Sequence, residues 1–192
     1  APEADVVLRS TAGMPLPGVQ IEILDERNEP QPHDGRNAGE ICVRSNVVTA
    51  GYWKLPDETA RAMSGGWFHT GDIGVMDENG YLTIVDRKKD IIVTGGENVA
   101  SLEIEKAIYE HPAVFECAVI ALPDAHWGEI PAAIVVLKPG HTLDEPALIA
   151  HCRRLLANFK VPKSVRFVES LPKGGTGKIL KRELRDQYAG YA

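Results

Sequence analysis

The sequence predicts a mixed α+β protein with a β-rich first part and a smaller α/β second part. Before residue 86, apolar and polar residues mostly alternate, which is typical of half-buried strands. After it, strand-like and helix-like segments follow one another in turn. The net charge also changes sign, from −8 over residues 1–86 to +2 over residues 87–192. We therefore expect two domains, residues 1–86 and residues 87–192.

The first part contains segments with clear local signals. Alternation predicts strands at 19–23 and around 41–43, and a polar stretch with Gly and Pro predicts a loop between them. Pro56 followed by two acidic residues indicates a short helix over 56–62, which the glycine pair 65–66 ends. The remaining signals are a turn at 69–72, a hairpin turn at 78–80 and a strand at 81–85.

The second part alternates between strands and helices. Short apolar runs predict strands at 91–93, 114–120, 132–137 and 165–168. Helical spacing predicts helices at 101–109, 144–157 and 179–188. We expect Ser101 to cap the first of these helices. In the second helix, one apolar face should comprise Leu148, Cys152, Leu155 and Leu156.

Composition excludes several classes of protein. The chain has 192 residues, 44% of them hydrophobic, and a net charge of −6, values that do not fit a disordered protein. No stretch approaches the roughly 20 consecutive apolar residues of a membrane helix. The three cysteines, Cys42, Cys117 and Cys152, form no CxxC pair, and the histidines show no metal-ligand spacing. We therefore expect no metal site, no disulfide framework and a reducing, cytoplasmic compartment.

A glycine-rich segment precedes a lysine at PKGGTGK, residues 172–178. It fails the phosphate-loop template twice, because Pro172 replaces the first glycine and Ile179 replaces the Ser or Thr. What remains is Lys178 on a flexible loop, where its charge could act on a carboxylate or a phosphate. An ordinary surface loop is the alternative interpretation.

Two further segments combine charge with glycine. HTGD at 69–72 ends in Asp72, whose carboxylate could accept hydrogen bonds from ribose hydroxyls, although a capped turn also explains it. DRKKD at 86–90 is followed by TGGEN at 94–98. A charged run before a glycine bend is typical of an interdomain hinge, and a solvent-exposed linker is the alternative.

Taken together and in order, five segments resemble the adenylate-forming superfamily, which includes acyl-CoA synthetases, adenylation domains of peptide synthetases and luciferases. The similarity runs from about residue 13 to residue 185. The segments are GMPLPGV (13–19), GEICV with AGYW (39–43 and 50–53), GWFHTGD (66–72), DRKKD (86–90) and PKGGTGK (172–178).

This resemblance implies a fold and a nucleotide site. Residues 1–86 would be the β-rich, distorted barrel-like end of a large AMP-binding domain, and residues 87–192 the small C-terminal domain. Asp72 would bind the ribose hydroxyls of ATP or AMP. Arg87 would contact the ribose or a phosphate, and Ile84 would lie near the nucleotide.

The resemblance also implies roles for four other residues. Lys89 would be the hinge about which the small domain turns. Gly95 and Gly96 would line the passage for the pantetheine arm of CoA. Lys178 would be the catalytic residue, bridging the substrate carboxylate and the α-phosphate during adenylation.

The function implied is ATP-dependent ligation of a carboxylic acid, fatty or aryl, to CoA through an acyl-AMP. TGGENV at 94–99 and FKVP at 159–162 resemble acyl-CoA synthetases more than peptide synthetases. The substrates would be the acid, ATP and CoA, with Mg²⁺ bound mainly by residues outside this chain and no nucleic acid partner. An enzyme that hands the acyl group to a carrier protein is the alternative within the family.

Two motifs of the family are absent from the sequence, the Ser/Thr- and glycine-rich phosphate loop and the aromatic-Gly-x-Thr-Glu motif. We therefore expect the chain to be the C-terminal portion of a longer enzyme and to be inactive alone. A regulatory relic of the family is an alternative. A non-catalytic nucleotide- or nucleic-acid-binding module is another, because residues 153–192 carry a net charge of +7.

Overall fold

The protein divides into two compact units, residues 1–89 and residues 90–192. The computed structural model describes residues 10–189, so the outer ends of both predicted domains lie outside the described residues. The division falls three residues after the predicted position of 86/87. Each unit has its own sheet and its own helices, and the predicted mixed α+β class is confirmed.

The sheet of the first unit is an antiparallel meander in the order β1-β2-β3-β4. Its strands are β1 (Val19–Leu24), β2 (Gly39–Ser45), β3 (Phe68–Met76) and β4 (Leu82–Arg87). Each strand pairs with its neighbour in sequence, so within residues 10–189 the sheet is open and the expected barrel-like shape is not closed. Its buried core consists of Ile23, Ile41, Met76 and Leu82.

Helix α1 (Pro56–Ala62) connects β2 to β3 and is followed by a short 3-10 turn over Ser64–Gly66. Proline at its first turn and the acids Asp57 and Glu58 explain its start, as predicted. The predicted turn at 69–72 is wrong, because these residues continue strand β3. The signal was misleading because Gly71 has a positive φ of 74°, which here forms an irregularity within a strand rather than a reversal of the chain.

The sheet of the second unit has the order β6-β5-β8-β7, with β9 added parallel to β8. Its strands are β5 (Ile92–Thr94), β6 (Glu97–Val99), β7 (Val114–Asp124), β8 (Gly128–Leu137) and β9 (Ser164–Phe167). The short strand β6 was not predicted, because its three residues are too few to show alternation. The long β7–β8 hairpin forms the centre of the unit.

Helices α2 (Ser101–Tyr109), α3 (Glu145–Leu155) and α4 (Lys181–Tyr188) complete the second unit. Successive residues of β7 point to opposite faces, and each face has its own core. Cys117 and Val119 belong to the core that includes residues of α2 and α3, whereas Ala118 and Ile120 share a core with Leu184 of α4. The longest helix described in residues 10–189 has 11 residues, too few to cross a bilayer.

Two details of the predicted helices are wrong. Ala100, not Ser101, is the N-cap of α2, and Ser101 is buried with its Oγ 2.6 Å from Lys181 Nζ. Helix α3 buries Leu148 and Cys152 as expected, but Leu155 is exposed because the helix ends there and the chain turns away. Asp144 caps α3, since its Oδ1 accepts a hydrogen bond from the Ala147 amide at 2.8 Å.

Candidate functional site

Asp72 and Arg87 face each other across β3 and β4, where they are partners in the strand register. Arg87 Nε lies 2.7 Å from Asp72 Oδ1, and the two side chains keep 46% and 26% of their surface exposed, respectively. Within residues 10–189, Asp72 Oδ2 has no hydrogen-bond partner and can accept bonds from a ligand. The pair therefore offers a carboxylate oxygen and a guanidinium side by side.

Two neighbours on β4 differ sharply in exposure. Ile84 is half exposed and presents an apolar side chain, whereas Asp86 is almost completely buried. Asp86 Oδ1 accepts a hydrogen bond from the Arg87 amide at 2.7 Å. This bond fixes the backbone of β4 immediately before the Arg87 side chain.

An irregularity in β3 determines where Asp72 is held. The register between β2 and β3 shifts around Gly71, whose φ of 74° favours glycine. Thr70 Oγ1 accepts from the Asp72 amide at 3.1 Å and donates to the Ile41 carbonyl at 2.8 Å. The Gly71 amide donates to Glu40 Oε1 at 3.1 Å.

Glu40 is a buried carboxylate on β2 that sequence analysis did not single out as a site residue. Its Oε2 lies 2.8 Å from Lys88 Nζ and 3.1 Å from His69 Nδ1. Burial raises the pKa of Glu40, but the bonds from Lys88 and His69 outweigh it and hold the pKa below its ordinary value. The available signal was an acidic residue inside an otherwise apolar strand segment, GEICV.

Glu40, Cys42 and His69 bring potential metal ligands within 4.8 Å of one another. Sequence spacing did not indicate this grouping, since the ligands come from two strands. Lys88 already neutralises the carboxylate, and burial, followed by the charge of Glu40, raises the pKa of the Cys42 thiol to about 11. Mg²⁺ prefers oxygen ligands and several waters, so this group does not fit it.

Lys89, the predicted hinge residue, is exposed in a short 3-10 turn over Lys88–Asp90. It is the last residue of the first unit, and Asp90 begins the second. In the second unit, Asp90 Oδ1 accepts a bond from Arg185 Nη1 of α4 at 2.8 Å.

Gly95 and Gly96 form the tight turn between β5 and β6, with φ values of 58° and 86°. The Gly95 amide donates to the Trp127 carbonyl at 2.9 Å. A Cβ at Gly95 would lie 2.9 Å from Trp127 Cε3, closer than real contacts allow. Both the backbone conformation and the neighbouring indole therefore require glycine at Gly95.

The loop that carries Lys178 is a narrow turn. Lys173 and Ile179 pair as an isolated β-bridge, and the Gly174 amide donates to the Lys178 carbonyl at 2.8 Å. Gly177 has a φ of 78° at the tip. The Lys178 side chain is exposed, and within the described residues no hydrogen bond or ion pair engages its ammonium. This charge is available to an anionic ligand.

Ion pairs hold both ends of the Lys178 loop against the second unit. Before the loop, Lys173 pairs with Glu116 of β7. After it, Lys181 Nζ lies 2.8 Å from Glu105 Oε1 and 2.6 Å from Ser101 Oγ, and the Lys181–Glu105 pair is nearly buried. The tip is thus free while its base is fixed.

The predicted site residues are distributed over both units. The structure brings Asp72 and Arg87 into direct contact. The first unit carries Asp72, Ile84, Arg87 and Lys89. The second carries Gly95 and Gly96 in one turn and Lys178 in another loop.

Two family models match parts of this chain. Residues 103–178 match the family described as AMP-binding enzyme C-terminal domain, and residues 1–53 match the family described as AMP-binding enzyme. The second match ends before Asp72, and the first includes Lys178 at its last position.

Individual proteins are similar over nearly the whole chain. The 2-succinylbenzoate–CoA ligase of Geobacillus kaustophilus is 45% identical over 96% of this chain and 37% of its own length. A long-chain-fatty-acid–CoA ligase of Escherichia coli O157:H7 is 46% identical over 93% of this chain and 31% of its own. The crystal structure of ATP-bound MatB from Rhodopseudomonas palustris superposes with a TM-score of 0.89 at 40% identity, over 95% of this chain and 36% of that one.

The chain thus spans about a third of the length of the relatives it matches. Both family matches, the identity levels and the shared fold point to the same group of proteins. The expected resemblance to adenylate-forming enzymes is confirmed, and the chain belongs to the family of AMP-binding enzymes.

Proposed function

We propose that the longer protein containing this chain is an ATP-dependent acid–CoA ligase, which activates a fatty or aryl carboxylic acid as acyl-AMP and transfers the acyl group to CoA. The observation that carries the proposal is the Asp72–Arg87 pair, a partly exposed carboxylate and an exposed guanidinium 2.7 Å apart in a chain of this family. The similar proteins include a ligase named for an aryl acid and one named for fatty acids, which supports both substrate classes.

The first unit would bind the nucleotide. Asp72 keeps an unpaired oxygen that can accept bonds from the ribose hydroxyls of ATP or AMP. Arg87 orients that carboxylate and adds a positive charge beside the ribose or a phosphate. The half-exposed Ile84 supplies apolar surface on the same strand as Arg87, suited to the flat nucleoside.

Lys178 would serve the first half-reaction. A carboxylate is a poor acyl donor because its leaving group would be oxide, and transfer to AMP creates a good one. That step brings two anions together, so a cation at the reacting centre counters the developing charge. Lys178 is exposed on a glycine-rich turn whose two ends are held in place by pairing. A lysine in such a turn can move to the reacting centre and away from it.

The second half-reaction would follow a turn of the second unit about Lys89. The exposed position of Lys89 at the end of the first unit supports this role. The space beside Gly96 is open, and the Trp127 indole lies against Gly95, so the turn offers an open edge with an aromatic wall, which suits passage of the pantetheine arm of CoA. CoA's thiol would then displace AMP from the acyl-AMP.

Mg²⁺ would neutralise the phosphates of ATP and, because the Glu40 group does not fit it, would be held by residues beyond this chain. We therefore expect the 192-residue chain alone to form no acyl-AMP. The three cysteines are free and buried, which supports a reducing compartment and, we propose, the cytoplasm.

The test separates the two half-reactions in the full-length enzyme. Lys178→Ala should lower acid-dependent exchange of pyrophosphate into ATP by at least about 100-fold, because it removes charge stabilisation in the transition state. It should leave conversion of supplied acyl-AMP to acyl-CoA nearly unchanged. Lys163→Ala is the matched control, an exposed lysine of the same unit that should change neither rate.

Two results would contradict the proposal. One is a Lys178→Ala enzyme that loses both half-reactions equally, since this lysine would then not be specific to adenylation. The other is a wild-type enzyme that shows no acid-dependent exchange with any fatty or aryl acid. Product analysis with CoA identifies the acyl-CoA directly.

A further inference from the structure

A buried carboxylate outside the proposed nucleotide contacts connects the strands that carry Asp72 and Arg87. We propose that Glu40 is a positioning residue for nucleotide binding, which fixes Asp72 and Arg87 by holding the residue beside each of them. The inference rests on the proposed function, because it assigns to Asp72 the recognition of ribose. Glu40 itself would touch no substrate.

The first contact acts on β3. Glu40 Oε1 accepts a hydrogen bond from the Gly71 amide at 3.1 Å, directly before Asp72. Gly71 is in the left-handed region, so the chain there needs a partner to define its path. The charged acceptor holds this amide more strongly than a neutral one would.

The second contact acts just after the end of β4. Glu40 Oε2 pairs with Lys88 Nζ at 2.8 Å, directly after Arg87. His69 Nδ1 lies 3.1 Å from the same oxygen, two residues before Gly71. One carboxylate on β2 therefore holds the residue before Asp72 and the residue after Arg87, which lie at the same end of this antiparallel pair.

Burial and charge explain why an acid is needed. The Glu40 side chain is 10% exposed, and a carboxylate removed from water needs its donors to remain stable. Its three contacts use both oxygens, so each oxygen is already held by a donor of the protein. In contrast, Asp72 has one bonded oxygen and one open oxygen. Glu40 therefore positions the neighbouring strands, whereas Asp72 binds the nucleotide.

The experiment measures discrimination by the full-length enzyme between ATP and 2′,3′-dideoxy-ATP, as the ratio of kcat/KM values for pyrophosphate release. Glu40→Gln keeps the shape and one acceptor but removes the charge that holds Lys88. It should lower the ratio about tenfold, the effect of one charge-assisted hydrogen bond. In an Asp72→Ala background, Glu40→Gln should lower the ratio no further.

Other variants guard against a trivial loss of folding. Glu22→Gln is the matched control, because Glu22 lies on β1 and bonds to His33 rather than to β3 or β4. It should keep the wild-type ratio. Lys88→Met should lower the ratio as Glu40→Gln does, whereas Lys88→Arg, which can still bond to Glu40, should restore most of it.

The outcomes separate the inference from the proposed function. If Asp72→Ala abolishes discrimination and Glu40→Gln lowers kcat/KM equally for both nucleotides, Glu40 is only structural and the inference is wrong. If the wild-type enzyme does not discriminate at all, the ribose role of Asp72 fails, and with it the proposed nucleotide site. The positioning role is established if Glu40→Gln and Lys88→Met both lower the ratio of kcat/KM values in the wild-type background and neither lowers it further in the Asp72→Ala background.

Discussion

Removing Lys181 should destabilise the second unit strongly, because this lysine anchors α4 directly after the Lys178 loop. Its Nζ lies 2.8 Å from Glu105 Oε1, and the two side chains are 14% and 11% exposed. Lys181→Met keeps most of the aliphatic volume, so the loss is mainly electrostatic. The Glu105 carboxylate would lose its ammonium while remaining largely out of water.

Removing one partner of a buried ion pair lowers the free energy of unfolding by about 3–5 kcal/mol. Because this pair keeps some exposure, we expect a loss of about 3 kcal/mol. Helix α2, which carries Glu105, also provides the matched control. Lys160 bonds to both oxygens of Glu103 on α2 at 2.7 Å, but Glu103 is 45% exposed. Lys160→Met should therefore cost at most about 1 kcal/mol.

The assay is native-state hydrogen exchange of the β7 and β8 amides, which reports the free energy of opening of this unit. A loss of ~3 kcal/mol should accelerate exchange by about 100-fold. Val119 is the local reporter, because its amide donates to Glu105 Oε1 at 2.8 Å. The double variant Glu105→Gln/Lys181→Met should recover part of the loss, since it leaves no unpaired charge.

Equal acceleration of a few-fold in Lys181→Met and Lys160→Met would refute this reasoning. It would mean that water reaches the Glu105 carboxylate freely and that the burial of the pair has no energetic consequence. Selective acceleration in Lys181→Met would show that the base of the Lys178 loop is fixed by a charge interaction.

The remaining predictions concern Gly95 and the thiols. Gly95→Ala should cost at least about 1 kcal/mol in urea unfolding, because φ is 58° and the new Cβ would lie 2.9 Å from an indole carbon; an unchanged midpoint would contradict the assigned turn. Burial raises the pKa of both Cys42 and Cys152 to about 11, so in the folded chain neither should react with iodoacetamide at pH 8, and reaction should accelerate toward pH 11 as thiolate forms. Mass spectrometry of labelled peptides measures this, and rapid labelling at pH 8 would show that these thiols are accessible.

Elements with a local signal could be predicted from the sequence. Strand β1 alternates cleanly, and α1 starts with proline and acids, so neighbouring residues alone specify them. The turn expected at 69–72 could not be corrected in this way. Gly71 has the backbone conformation of a turn, but pairing with β2 keeps the segment in a strand, and no local pattern encodes that pairing.

Buried charges were the least predictable part of the candidate site. Glu40 is buried because Lys88, 48 positions away, neutralises it. Ser101 is the first helical residue rather than the cap, and its hydroxyl accepts a bond from Lys181, 80 positions away. Short motifs predicted Asp72 and Arg87, which the structure joins, but the residues that hold them depend on contacts far apart in sequence.

The central claim, acyl transfer through acyl-AMP, can be tested directly with ¹⁸O. The full-length enzyme would be supplied with ATP, CoA and a fatty or aryl acid labelled with ¹⁸O in its carboxylate. Attack of that carboxylate on the α-phosphate, followed by thiol displacement, predicts one ¹⁸O atom in each AMP released, detected by mass spectrometry. Label in inorganic phosphate or pyrophosphate instead, with none in AMP, would contradict the account.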